Sequence, residues 1–136
     1  MLKKTMTTVD YNGNERKEDY YFNLTKAEIM EMELSKNGGL AEYINRVVAA
    51  QDSAEIVKVF KEIILKSYGE KSLDGKRFIK IAPDGHRLAD DFAQTEAYSE
   101  LFMELATDAD AAAKFVNGIV PADMTTTTPV IAPAAK

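Results

Sequence analysis

Few residues in this chain have the type and spacing that chemistry requires. The sole histidine, His86, follows Gly85 in a turn, and a single loop histidine reads as a solvated residue, because a catalytic site needs several groups together. Asp90 and Asp91 are the nearest thing to a cation site. Adjacent acids on a helix point about 100° apart, however, and no second ligand cluster accompanies them. Solvation of a helix start is the better reading. The glycines stand where turns are needed, and there is no phosphate loop, no dinucleotide-binding glycine pattern after a strand and no nucleophile motif. Cysteine is absent, which excludes disulfides and thiolate metal sites and permits a reducing compartment. These observations predict no catalytic residues, no cofactor and no metal.

What remains is surface chemistry. Glu96, Glu100 and Glu104 recur at i, i+4 and i+8, where like charges repel by a few tenths of a kcal/mol per pair. Between Arg87 and Lys114 there is no Lys or Arg, yet Asp90, Asp91, Asp108 and Asp110 join the three glutamates. That ridge is either plain solvation or a surface prepared for something basic. The preceding stretch is of opposite sign: Lys58, Lys61, Lys66, Lys71, Lys76, Arg77 and Lys80 stand against Glu62, Glu70 and Asp74. On the same helix as the ridge, Tyr98, Phe102 and Met103 widen the apolar arc. Packing within the domain explains such residues, and so does a partner surface, where Tyr, Phe and Met are enriched. The charge segregation favours the partner surface. Glu96, Tyr98, Glu100, Phe102, Met103 and Glu104 are therefore the candidate partner-binding residues, and weak self-association through the two charge blocks is expected.

The elements that must position them follow from periodicity. Over residues 94–121, Tyr98, Leu101, Phe102, Leu105, Ala109, Ala112 and Val116 mark one helical face. Thr107 reads as a second helix start, so this stretch is two helices or one bent at Thr107. Asn117-Gly118 reads as a left-handed stop, with Pro121 preventing continuation. Upstream, residues 2–9 and 15–24 read as strands joined at Asn12-Gly13, with Tyr20, Phe22 and Leu24 on one side. Thr25 and Glu28 have capping-box spacing, and Leu24 with Ile29 forms a hydrophobic staple, starting a helix at Lys26 that ends near Leu34. A second helix is expected over 40–51, with Leu40, Ile44, Val47 and Val48 buried. A third starts at Asp52, with Glu55 completing a capping box and Ile56, Val59, Phe60, Ile63 and Ile64 as its stripe, and ends at Tyr68-Gly69. From Glu70 to Gly85 turns dominate; Phe78, Ile79 and Ile81 are either a short strand added to the hairpin or a tethered loop. A helical turn follows at Leu88 to Phe92. Residues 122–136, with their run of threonines and two prolines, read as a flexible tail. The fold expected is α+β, mainly α: a β-hairpin over 1–24, about five helices within 25–121 in one compact domain, and the tail.

With 136 residues, 46% hydrophobic and 29% charged, the composition is that of a soluble globular domain. The net charge of −5 argues against nucleic acid as a partner. No apolar run approaches the ~20 residues that span a bilayer, and the N-terminus lacks the apolar core of a signal peptide, so no membrane partner is expected and a cytoplasmic protein is the default.

The stretches SYGEKSLDGKRFIK (67–80) and QTEAYSELFMELATDADAAAKFVNGIVP (94–121) resemble tail assembly chaperones of long-tailed bacteriophages, especially those of Gram-positive hosts. The resemblance implies a mostly helical, non-enzymatic protein of the host cytoplasm, absent from the mature virion. It implies binding and solubilising of the tape measure protein, recruitment of tail tube protein around it, and a longer form made by programmed frameshift. Two readings from other classes stand beside it: a small structural tail or connector subunit, and an acidic regulator binding a host protein.

Overall fold

The computed structural model describes residues 1–34, 46, 49–50 and 53–121. The helix expected over 40–51 falls mostly outside them; of its length only Arg46, Ala49 and Ala50 are described, helical and exposed. Its stripe residues, the Asp52 cap and the expected tail over 122–136 also lie outside the described residues.

Strands β1 (Leu2–Val9) and β2 (Glu15–Phe22) pair antiparallel from Leu2↔Phe22 to Val9↔Glu15. The Gly13 amide donates to the Asp10 carbonyl and the Asp10 amide to the Asn14 carbonyl, both at 2.9 Å, with Gly13 at φ 86°. This is the type I turn plus glycine bulge that closes a three-residue hairpin loop. Asp10 organises it: Oδ1 accepts the Asn12 and Asn14 amides at 2.9 Å each, and Oδ2 takes the Arg16 guanidinium. The Arg16 hydrogen bond, with those amides, holds the Asp10 carboxyl below the usual carboxylate range.

The capping box forms as expected at α1 (Lys26–Leu34). The Thr25 amide donates to Glu28 Oε1 at 2.8 Å, and the Glu28 amide to Thr25 Oγ1 at 3.2 Å. Leu24 and Ile29 are both buried in the core. In α2 (Ser53–Ser67) the expected stripe is borne out in Val59, Phe60, Ile63 and Ile64, which are buried, while Ile56 is half-buried against the core; Lys58, Lys61, Glu62 and Lys66 are exposed.

The region after α2 departs from expectation. Tyr68–Lys71 is a strand, β3, paired with β2 through Phe22↔Tyr68 and Tyr21↔Gly69. Phe78–Ile79 forms β4 and pairs with β3, giving a four-stranded sheet in the order β1-β2-β3-β4. The strand alternative for this run is thus the one realised, against β3 rather than against the hairpin itself. Gly69 is what allows the approach: a Cβ there would lie 2.6 Å from Phe78 Cε2 and 2.7 Å from the Ile79 carbonyl oxygen.

Three helices follow: α3 (Leu88–Phe92), α4 (Glu96–Thr107) and α5 (Ala109–Ile119). The break between α4 and α5 is capped one residue later than expected. Asp108 accepts the amides of Asp110 at 3.0 Å and Ala111 at 3.2 Å, while the Thr107 hydroxyl donates back to the Met103 carbonyl at 2.6 Å. A threonine engaged with the preceding turn is lost as a cap, and an aspartate caps as well or better. Nor does Asn117-Gly118 stop α5, which runs on to Ile119. Gly118 serves close approach instead: a Cβ there would meet Leu2 Cδ1 at 3.0 Å. Ala109, expected on the buried face, is exposed; Ala97, Phe115 and Ile119 are buried. The helices cover the sheet face carrying Leu2, Met6, Tyr20 and Phe22. Among the described residues no helix is long and apolar enough to cross a membrane.

Candidate protein-binding groove

Aromatic rings run from the core to the surface. Phe22 meets Phe115 edge-on at 5.2 Å and Phe92 at 5.7 Å; Phe92 stacks on Tyr68 at 4.3 Å, 6° from parallel. Phe92 then meets Tyr98 edge-on at 5.9 Å, and Tyr98 lies 6.1 Å from Phe102. Thr95 starts α4 and fixes Tyr98, its hydroxyl oxygen accepting the Tyr98 amide at 3.3 Å. Burial raises the Tyr98 phenol above its ordinary value. This file of rings ends in a groove of about 330 Å³ between α2 and α4, lined by Val57, Lys61, Ala93, Tyr98, Phe102 and Met103. Its rims are apolar and open: Val57 is 48% exposed and Met103 55%. An amphipathic helix fits such a surface, since the floor is set by packed aromatics and methionine adapts its shape at the rim.

The six candidate residues do not form one site. Tyr98, Phe102 and Met103 line this groove. The glutamates lie around the other flank of α4, toward the hairpin. Glu104 pairs with Lys4 of β1 at 2.8 Å, and Glu96 accepts from the Tyr11 hydroxyl at 3.4 Å. Glu100 is exposed. The acidic ridge is in part a seam between α4 and the hairpin, so it is not wholly free for a basic partner.

The basic block is likewise depleted. Lys80 turns inward, and its ammonium donates to Glu28 Oε2 at 2.6 Å, the Lys66 carbonyl at 2.8 Å and the Asn23 carbonyl at 2.9 Å. It thereby caps the end of α2 and ties it to the start of α1. Burial holds Lys80 below the usual lysine range, opposed by the Glu28 carboxylate. Burial alone would raise Glu28; the Lys80 and Thr25 hydrogen bonds outweigh it and hold the carboxyl below its ordinary value. Val57, Lys61 and Ala93 were missed as groove residues, although a valine on the otherwise charged wet side of α2, one helical turn before Lys61, was a readable signal.

His86 is not solitary. Its Nε2 lies 2.7 Å from Asp91 Oδ2 and its Nδ1 2.5 Å from Asp84 Oδ1. The Asp91 and Asp84 hydrogen bonds raise its pKa from 6.5 to about 9. A ring protonated at neutral pH, with an acid on each nitrogen, offers no lone pair to a metal or a reacting proton. The group clasps the turn to α3. Among the described residues no group of three or more His, Asp or Glu side chains is arranged to hold a metal ion.

A small α+β domain with an open, aromatic-floored groove has the features of a binding module. Residues 1–132 match the family described as phage tail assembly chaperone, and the chain belongs to that family. Its role is that of a chaperone in tail assembly, acting on tail proteins. No curated protein and no solved structure matches the chain.

Proposed function

We propose that this chaperone holds an amphipathic helical segment of the tape measure protein in the α2–α4 groove, keeps that client soluble, and helps recruit tail tube subunits around it. The observation that carries the reading is the groove itself: Tyr98 and Phe102 form its floor, with Val57 and Met103 exposed on opposite rims. Seating an apolar helix stripe there removes apolar area from water on both partners. The net charge of −5 keeps the covered complex dispersed. The work is done in the host cytoplasm, and the protein leaves before the virion is complete.

Co-expression with a tape measure fragment tests it. The wild type raises the soluble fraction of the fragment, and Val57→Glu with Met103→Glu abolishes the gain while leaving the chaperone's melting midpoint within a few degrees. A fragment equally soluble alone, or equally rescued by the double variant, overturns the assignment. Detection of the chain in many copies in purified particles would make it a structural subunit.

A further inference from the structure

β1 is an edge strand, and the register of the hairpin decides which of its backbone groups face outward. The Asp10 amide bonds the Asn14 carbonyl, so Asp10↔Asn14 is a hydrogen-bonded pair. Pairs alternate along an antiparallel ladder, which makes Thr8↔Arg16, Met6↔Glu18, Lys4↔Tyr20 and Leu2↔Phe22 hydrogen-bonded and the intervening pairs not. The amides and carbonyls of Lys3, Thr5, Thr7 and Val9 therefore point away from β2. Among the described residues none of them has a backbone partner across the outer edge. All four residues are exposed, and no proline or bulge interrupts the strand. Proline and bulges are two of the devices that blunt natural edges; of the others, β1 carries only the charges of Lys3 and Lys4 near its start.

We propose that β1 is a self-association edge, on which a second copy of this chain adds its own β1 antiparallel about a two-fold axis at Met6. This goes beyond the client groove, which lies on α2 and α4. The axis is chosen by complementarity. About Met6, Lys3 faces the partner copy's Val9 and Thr5 faces its Thr7. Each outward residue then meets an outward residue, so every unpaired amide and carbonyl along the edge finds a partner. No lysine faces a lysine. On the solvent face, rows across the joined sheet set Lys3 with the partner's Glu15, two strand spacings or about 10 Å away, and Asp19 with the partner's Lys17, three spacings or about 14 Å away. Opposite charges thus share rows, and Thr–Thr pairs sit at the centre. The interface is isologous and closes at a dimer. A strand edge alone buries little area, so the dimer is weak and populated only at high concentration.

Sedimentation velocity over rising concentration should show the 15.1 kDa chain passing to twice that mass. Thr7→Pro removes one outward amide without touching the β1–β2 ladder, and it should leave the chain monomeric at every concentration. Should that variant fail to fold, Met6→Cys decides. The chain has no cysteine of its own, and the axis would bring two Met6 positions together as a non-hydrogen-bonded pair with Cα atoms about 4.5 Å apart, within disulfide reach. Oxidation should give a covalent dimer far faster than with Lys76→Cys. A wild type that stays monomeric, a dimer that survives Thr7→Pro, or Met6→Cys linking no faster than the control overturns the proposal. Loss of client binding by Thr7→Pro in a monomeric wild type would assign the edge to an extended client segment instead.

Discussion

The Lys80 ammonium sits 2.6 Å from Glu28 Oε2 across a separation of 52 residues, and the same nitrogen holds the Lys66 and Asn23 carbonyls. One cation thus joins the end of β2, the first turn of α1, the end of α2 and the strand run that carries it. Lys80→Met keeps the aliphatic stem and removes the charge, leaving a partly buried carboxylate without its cation. We expect a loss on the order of 2 kcal/mol in denaturant unfolding, as for charged hydrogen bonds. Glu28→Gln should be coupled to it, so that the double variant loses less than the two single losses together. Strict additivity would show that the contact carries no energy.

Clasping of His86 by Asp84 and Asp91 predicts a pH dependence. The folded pKa of about 9 lies above the ordinary 6.5, so the stabilisation is full below about pH 6.5 and is lost as pH rises through 9. At the acid end the Asp84 carboxyl is held low, foremost by the His86 amide, and its contribution fades as pH falls through its folded value. The midpoint difference between wild type and His86→Ala should hold at neutral pH and vanish toward pH 10. An NMR titration of the His86 ring with a midpoint near 6.5 would refute the clasp.

Phe92 touches Tyr20, Phe22, Tyr68 and Tyr98 through its ring. Phe92→Ala removes the link between the sheet core and the groove floor, and about 3–5 kcal/mol should be lost in chemical denaturation. A cost below about 1 kcal/mol would mean that the surrounding rings collapse into the gap.

Gly69 is the close-approach point of β3 and β4. Gly69→Ala should cost about 1–3 kcal/mol by overpacking against Phe78 and the Ile79 carbonyl. Amide exchange at Phe78 and Ile79 should speed up before the rest of the sheet responds. Unchanged exchange would show that the pair of strands can shift without loss.

Several elements were legible because their causes are local. Thr25 and Glu28 lie three residues apart and cap the same helix turn, and the stripe from Ile56 to Ile64 needs only the 3.6-residue period of a helix that has one side to bury. The cap at Asp108 was misplaced by one residue for an equally local reason: Thr107 and Asp108 are neighbouring cap formers, and the choice rests on which side chain is already bonded to the turn before it.

What the chain alone determined, then, is where α1 to α5 lie, to within a residue or two at their ends, and that α4 carries acids on one flank and aromatics on another. Only the tertiary structure decided what each flank meets. Tyr68–Lys71 has no strand period of its own and becomes β3 because β2, more than 40 residues earlier, offers it a ladder. Lys80 reads as one more basic surface residue until the fold encloses it with Glu28. Glu104 leaves the acidic ridge for Lys4, while Tyr98 and Phe102 turn toward α2 and floor the groove. Periodicity reports which residues share a face, since that depends on the backbone geometry of one element. Which face is covered, and by what, depends on contacts between residues far apart in sequence, and no local pattern encodes them.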